Sequence, residues 1–244
     1  LPRNRDTVPR GGFGALIDAL LEGIQSSSSG ARAAVRIGSK GEVVELDSRG
    51  FLESGAGGRE RGRVVVRTAD GTTTRCALVL VTLPVGVLQT RPPRFLPPLP
   101  DGKVAAIRSV GIGKLDRVML RWPSSVGERL WRLGPLGWAN LDRHSLIQAI
   151  NALRLEPHTS VVTFMVGGEA AAERETHSNA QIGAEAMAAL EAMVRQPLPA
   201  PSALHVTRWY ADNLSKGSYS YVRVGGSSAA FEHLAEPLPS RGLR

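Results

Sequence analysis

Apolar positions along the chain change period several times, and each change marks an element. Phe13, Leu16, Ile17, Leu20 and Leu21 recur three and four residues apart, which gathers them on one stripe of a helix, with Gly23 as its expected end. Ser26 to Gly30 reads as a serine-rich linker. Strand patterns follow at Glu42 to Leu46, Arg63 to Arg67 and Thr72 to Cys76. The last two are joined across Asp70-Gly71, a strong hairpin signal. Ser48 to Gly62, between the first and second, reads as an exposed insertion. Ala77 to Val81 is apolar without interruption, the pattern of a strand buried on both faces. Pro92-Pro93 and Pro97-Pro98 make a stiff extended connector and the best domain boundary.

Beyond that boundary, Val118 to Trp122, Leu146 to Ile150 and Val161 to Val166 read as antiparallel strands of a second sheet. Alternation from Asp116 to Trp122 puts Arg117, Met119 and Arg121 on one face and Val118, Leu120 and Trp122 on the other. Gly168-Glu169-Ala170 reads as a structural turn after a strand. Ile182, Met187, Leu190, Met193 and Val194 set a helix that stops before Pro197, and Leu204 to Trp209 is a strand leading back towards the first domain.

Composition narrows the class. With 244 residues, 42% hydrophobic and 21% charged, the chain is globular and has the length of one large or two small domains. The single Cys76 forms no internal disulfide and, set in a strand pattern, reads as an inert core thiol. No apolar run approaches the roughly 18 residues of a membrane span, and no signal-peptide pattern opens the chain. The chain begins at Leu1 and not Met, so the native start is expected elsewhere. A formal charge of +8 invites a nucleic-acid partner. Only four of the 30 basic residues are lysine (Lys40, Lys103, Lys114, Lys216), and the 26 arginines are scattered apart from the cluster Arg59-Glu60-Arg61-Gly62-Arg63. A solvated surface is the better reading, and nucleic acid or chromatin is disfavoured as a partner. The compartment is left open, with cytoplasm or nucleus favoured over secretion.

Protein-borne chemistry is sparse. The five histidines stand apart without ligand spacing, so no metal site is expected. There is no G-x-S-x-G elbow, no Cys-His pair and no Walker-type phosphate loop. Gly11-Gly12-Phe13-Gly14 lacks the third glycine and the preceding strand of a dinucleotide fingerprint. A chain without an obvious side-chain catalyst suits an enzyme whose cofactor carries the chemistry.

Two long motifs then stand in a telling order. The first is Val79 to Leu88, containing Thr82-Leu83-Pro84, followed by Phe95-Leu96-Pro97-Pro98-Leu99-Pro100 and Lys103 to Ile107. The second runs from Thr207 to Gly225 and reads TRWYADNLSKGSYSYVRVG. Together they resemble the flavin-dependent amine oxidases, in the branch of polyamine oxidases and lysine-specific histone demethylases. The resemblance covers nearly all of this chain but only the middle of the family. The family's N-terminal glycine turn and its C-terminal G-E-x-T segment are not matched.

The resemblance implies an α/β fold, a partial two-domain flavin amine oxidase. Residues 1–91 are expected to form an incomplete FAD-binding domain, 92–210 an α+β substrate-binding domain with an antiparallel sheet, and 211–244 a return segment. It also implies oxidative deamination of a polyamine, another primary or secondary amine, or a methylated lysine. Hydride would pass from the amine to FAD, the imine would hydrolyse to an aldehyde, and oxygen would reoxidise the flavin to give hydrogen peroxide. Position by position, Val43 matches the valine that meets the adenine of FAD, and Thr82, Leu83 and Pro84 match the turn lining the flavin. Tyr219 matches a wall of the aromatic cage, and Trp209 an aromatic packed near the ring. Ser218 stands where monoamine oxidases carry their flavin-linked cysteine, so the FAD is expected to be non-covalent. Arg117 stands where the family's G-x-G-x-x-x-K segment places the lysine that holds a water at flavin N5. Arginine is planar, bulkier and always charged. A non-catalytic fragment or pseudo-oxidase acting as an interaction module is therefore kept as the alternative.

Overall fold

The computed structural model describes residues 12–26, 35, 38, 41–50, 64–123, 125–126, 137–139, 148–151, 159–238 and 243. Helix α1 (Gly12–Ser26) runs through Gly23 for three further residues, and its last turn is closed by Ser26 Oγ donating to the Glu22 carbonyl at 2.7 Å. A single glycine costs a helix only about 1 kcal/mol, which does not break it here. The Arg59 to Arg63 cluster lies outside the described residues, as does most of the expected Ser26 to Gly30 linker.

A four-stranded sheet follows in the order β3-β2-β1-β4, from β1 (Val43–Asp47), β2 (Val64–Thr68), β3 (Thr73–Cys76) and β4 (Arg94–Leu96). The β2–β3 hairpin turns at Asp70-Gly71, where Gly71 has φ 84° and the Asp70 carboxylate accepts from the Thr72 N–H at 2.9 Å. β4 pairs parallel with β1 while the other pairs are antiparallel. Three readings need correction here. Ser48 is buried, its hydroxyl donating to the Leu96 carbonyl at 3.0 Å, so the expected exposed insertion does not begin there. Cys76 ends a strand whose other residues are exposed, and is half-buried instead of a core thiol.

The third correction concerns Ala77 to Val81, which is not a strand buried on both faces. Its one bridge among the described residues joins Val79 to Leu243, and Leu78 and Leu80 are 49% and 69% exposed. A continuous apolar run needs a paired strand on each side to vanish into a sheet, and described strands flank it on neither.

The larger sheet is antiparallel throughout, in the order β10-β6-β9-β8-β7. Its strands are β6 (Leu115–Pro123), β7 (Gly137–Ala139), β8 (Gln148–Asn151), β9 (Thr159–Gly167) and β10 (Ala203–Val206). The alternation expected for β6 is present: Val118, Leu120 and Trp122 are buried while Arg117 and Arg121 are exposed. With Val162, Phe164 and Val166 of β9 they form the main core. Helix α4 (Glu169–Arg174) begins at Gly168, whose φ of 66° suits glycine, and lends Ala171 to the core. Helix α5 (Asn179–Val194) lays Ile182, Ala186 and Leu190, one turn apart, on the sheet. Ser178 and Gln181 close a reciprocal capping box at its start, and Arg195 ends it in the left-handed region.

Three more helices and a two-stranded ladder complete the frame. Helix α2 (Val85–Thr90) leads through β4 to α3 (Asp101–Ser109), which runs directly into β5 (Val110–Gly113). β11 (Tyr219–Val222) pairs antiparallel with β5, and α6 (Ala229–Ala235) packs on α3. Lys103 of α3 fastens that pair by donating to the carbonyls of His233, Leu234 and Glu236 at the end of α6, a favourable place for a cation.

Candidate active site

The site is built where β11 crosses β5. The register sets Tyr219 opposite Gly113 and Tyr221 opposite Gly111. Both glycines are needed for steric reasons: a Cβ on Gly111 would stand 2.5 Å from the Tyr221 ring, and one on Gly113 would press still closer into the Tyr219 ring. The two rings therefore lie across a strip of bare backbone, with centroids 6.3 Å apart and planes tilted by 54°. Their outer surfaces remain open, Tyr219 being 53% and Tyr221 45% exposed. An exposed aromatic face offers both apolar area and a quadrupole that attracts cations.

The residues leading into β11 are tied down. The Trp209 carbonyl accepts from the Gly217 N–H at 2.8 Å and from Ser215 Oγ at 2.7 Å. Ser218 donates both its N–H, at 3.0 Å, and its hydroxyl, at 2.9 Å, to the Gly113 carbonyl. Trp209 itself is 45% exposed. The Thr82 to Pro84 segment leads into α2, with Pro84 before the helix and Gly86 in its first turn buried against the backbone of Ser215 and Lys216. Gln89 locks this arrangement by donating to the Ile107 and Val110 carbonyls at 2.7 and 2.9 Å.

Of the residues singled out from sequence, Trp209 and Tyr219 flank the segment that folds onto Gly113, and Thr82, Leu83 and Pro84 precede the helix whose Gly86 packs against Ser215 and Lys216 of that segment. Arg117 lies on the adjoining β6, exposed, with its backbone laced to Thr207. Val43 stands apart on the four-stranded sheet, at the start of β1 opposite Thr68. Lys114 does not stand in for Arg117. Its ammonium pairs with Glu169 at 2.8 Å and sits 4.5 Å over the Tyr210 ring, and the hydrogen bond it donates to Glu169 holds its pKa above the ordinary lysine value.

Two acids in the neighbourhood were not singled out. Asp116 is buried, accepting from Thr207 Oγ1 at 2.9 Å and from the Trp209 N–H at 3.1 Å. Glu175, between α4 and α5, accepts from the Tyr210 and Ala211 N–H groups at 2.8 and 2.6 Å. A signal for Asp116 was available, since the alternation of β6 gives it the same face as Val118 and Leu120. These N–H bonds also explain why β10 ends at Val206 and not at Trp209: the backbone turns to the acids instead of continuing along β6.

The residues present fit the ring end of a flavin. Half-exposed Trp209 and Tyr219 and the more exposed Leu80 offer apolar surface, and Ser218 has no thiol to bond a ring covalently. Among the described residues, no cluster of acids, histidines or cysteines could hold a metal ion, and no helix is long and apolar enough to cross a membrane.

Comparison with known proteins decides the family. The profile described as flavin containing amine oxidoreductase matches residues 2–244. The chain belongs to this family. It is 31% identical over 183 residues to human lysine-specific histone demethylase 2, covering 72% of this chain and 22% of that protein. It is 29% identical over 216 residues to human peroxisomal N(1)-acetyl-spermine/spermidine oxidase, covering 82% of this chain and 42% of that one. Among solved structures, cyclohexylamine oxidase from Brevibacterium oxydans superposes with a TM-score of 0.63 at 15% identity, over 84% of this chain and 41% of its own. Wild-type putrescine oxidase bound to putrescine gives 0.63 at 13% identity, over 83% and 41%. At such identities these two show the shared fold. The chain thus spans less than half the length of each of these relatives, in a family whose cofactor is a flavin.

Proposed function

We propose that the protein containing this chain is an FAD-dependent amine oxidase acting on a polyamine or another primary or secondary amine. The observation that carries the reading is the pair of half-exposed rings, Tyr219 and Tyr221, laid over Gly113 and Gly111. FAD, when bound, supplies the hydride acceptor for the amine carbon and passes the electrons to oxygen. This chain's residues do the placing. Thr82, Leu83 and Pro84 line the ring, Trp209 packs near it, and Val43 serves the adenine end. Tyr219 presents an aromatic face that holds the amine and sheds water. Ser218, its hydroxyl engaged with Gly113, leaves the cofactor non-covalent. Arg117 takes the place of the family's lysine. We place the division between the FAD-binding and substrate parts at the prolines before β4, with residues 211–244 returning to the former.

The test is anaerobic mixing of the full-length, flavin-loaded protein with spermine, N-acetylspermine or a dimethyl-lysine peptide. Bleaching of the yellow flavin by one of the polyamines supports the reading. Bleaching by the peptide alone moves the substrate to protein lysines, a choice favoured by the 31% identity to the human demethylase. Flavin left oxidised by every amine makes the protein a non-catalytic relative. Acid precipitation should release the flavin into solution, and flavin retained on the chain would contradict the assignment of Ser218.

A further inference from the structure

Tyr221 repeats, one step along β11, the setting of Tyr219. Strand alternation gives the two residues the same face, with Ser220 and Val222 on the other. Each ring lies on a bare glycine, Tyr219 on Gly113 and Tyr221 on Gly111, so backbone fills the space beneath it and the outer surface is open. The centroids stand 6.3 Å apart with planes tilted by 54°, which makes two ring faces side by side and not one stack. Close by in the chain, another tyrosine shows what such a ring accepts: the Lys114 ammonium lies 4.5 Å over the centroid of Tyr210. Among the described residues no side-chain cation lies over Tyr219 or Tyr221. Lys216, the lysine nearest to them in sequence, turns its ammonium to the Ala211 carbonyl at 3.4 Å.

We propose that Tyr221 is a specificity-determining residue: its open face seats a second cationic nitrogen of the substrate whose first lies over Tyr219, and the spacing of the rings selects the spacing of the nitrogens. The role of Tyr219 in this proposal rests on the amine oxidase reading; the second seat does not. A ring face attracts an ammonium within about 6 Å of its centroid. Two ammonium groups joined by a four-carbon chain are separated by five single bonds of about 1.5 Å, meeting at about 111°, which span about 6 Å when extended. The two centroids stand at that separation. By the same geometry a three-carbon diamine falls about 1 Å short and a six-carbon diamine overshoots by about 2 Å. A monoamine reaches one seat only. Joining both cations in one molecule makes the second contact intramolecular, so it adds to affinity without a second loss of free motion. Gly111 is part of the device, because a Cβ there would stand 2.5 Å from the Tyr221 ring and force it off its bed.

The test is a ratio of affinities, which a merely structural role would not move. Full-length, flavin-loaded protein is titrated without oxygen with butylamine, propane-1,3-diamine, butane-1,4-diamine and hexane-1,6-diamine. Affinity is read from the concentration dependence of flavin reduction, and by calorimetry for any amine that does not reduce the flavin. Wild type should bind butane-1,4-diamine roughly fivefold or more tightly than butylamine, and more tightly than either other diamine. Tyr221→Phe keeps the ring and should keep this preference. Tyr221→Leu keeps apolar bulk without the quadrupole and should bring the ratio of diamine to butylamine within about twofold of unity. Gly111→Ala should do the same by displacing the ring. If Tyr221→Leu does not fold, the wild-type series and Gly111→Ala still decide. Equal affinity of wild type for all four amines, or a preference for another spacer, overturns the proposal. So does Tyr221→Leu that retains the preference or weakens every amine in proportion. A four-carbon preference seen by calorimetry in a protein whose flavin no amine reduces would sink the oxidase reading and leave the second seat standing. Flavin reduction with equal affinity for all four amines would do the reverse.

Discussion

The five-stranded sheet and the β5–β11 ladder treat their aromatic residues in opposite ways. Trp122 and Phe164 alternate inwards from β6 and β9, and the Ile182, Ala186 and Leu190 stripe of α5 closes over them. Even the Trp122 indole N–H is satisfied, donating to the Pro199 carbonyl at 2.8 Å. Tyr219 and Tyr221 instead rest on glycine backbone, which gives each ring a flat bed beneath and leaves the opposite surface open. In the first region large side chains meet large side chains and the chain supplies both walls. In the second, small residues are placed so that large ones lie flat. The first arrangement makes stability, and the second makes a surface with room for something else against it.

Truncation should expose this contrast most strongly at Trp122. Trp122→Ala removes a fully buried ring and its hydrogen bond, and should cost about 3–5 kcal/mol in chemical denaturation. A loss below about 1 kcal/mol would deny the larger sheet its role as the stability core.

Gly113→Ala sharpens the other side of the comparison. The added methyl must displace the Tyr219 ring, an overpacking that should cost about 1–3 kcal/mol. In a Tyr219→Ala background the same change should cost close to nothing, because its obstacle has gone. Equal costs in both backgrounds would show that the ring does not lie on Gly113.

Arg117→Lys should have the smallest effect on folding, within about 0.5 kcal/mol for an exposed strand position. If Arg117 occupies the lysine's place, the change should leave FAD content unaltered and quicken reoxidation of the reduced flavin by oxygen. Stopped-flow traces with the same reoxidation rate for both residues would remove that role from Arg117.

Much of the fold was legible because it rests on local alternation and turn chemistry. The Asp70-Gly71 hairpin, the two-faced β6 and the helix before Pro197 all follow from short-range pattern. Ala77 to Val81 was misread because an apolar run states a preference for burial, while partners elsewhere in the chain decide whether a sheet receives it. The aromatic site was legible only by family resemblance, since Gly111-Ile112-Gly113 resembles any glycine-rich stretch until β11 is laid across it. Asp116 showed itself in the alternation as a charge on the core face, but Glu175 did not. The N–H groups it holds lie 35 and 36 positions away, and nothing around Thr176 or His177 marks the bend it meets.

The central claim is that Tyr219, on its glycine bed, faces the amine and not the protein core. Anaerobic titration of full-length, flavin-loaded Tyr219→Ala with a reducing amine tests it directly. The account predicts unchanged flavin content and a stability loss small beside that of Trp122→Ala. It also predicts amine affinity weakened roughly five- to thirtyfold, as expected for loss of about 1–2 kcal/mol of cation–π contact. Flavin reduction at the wild-type affinity and rate, or loss of flavin in step with loss of activity, would contradict it.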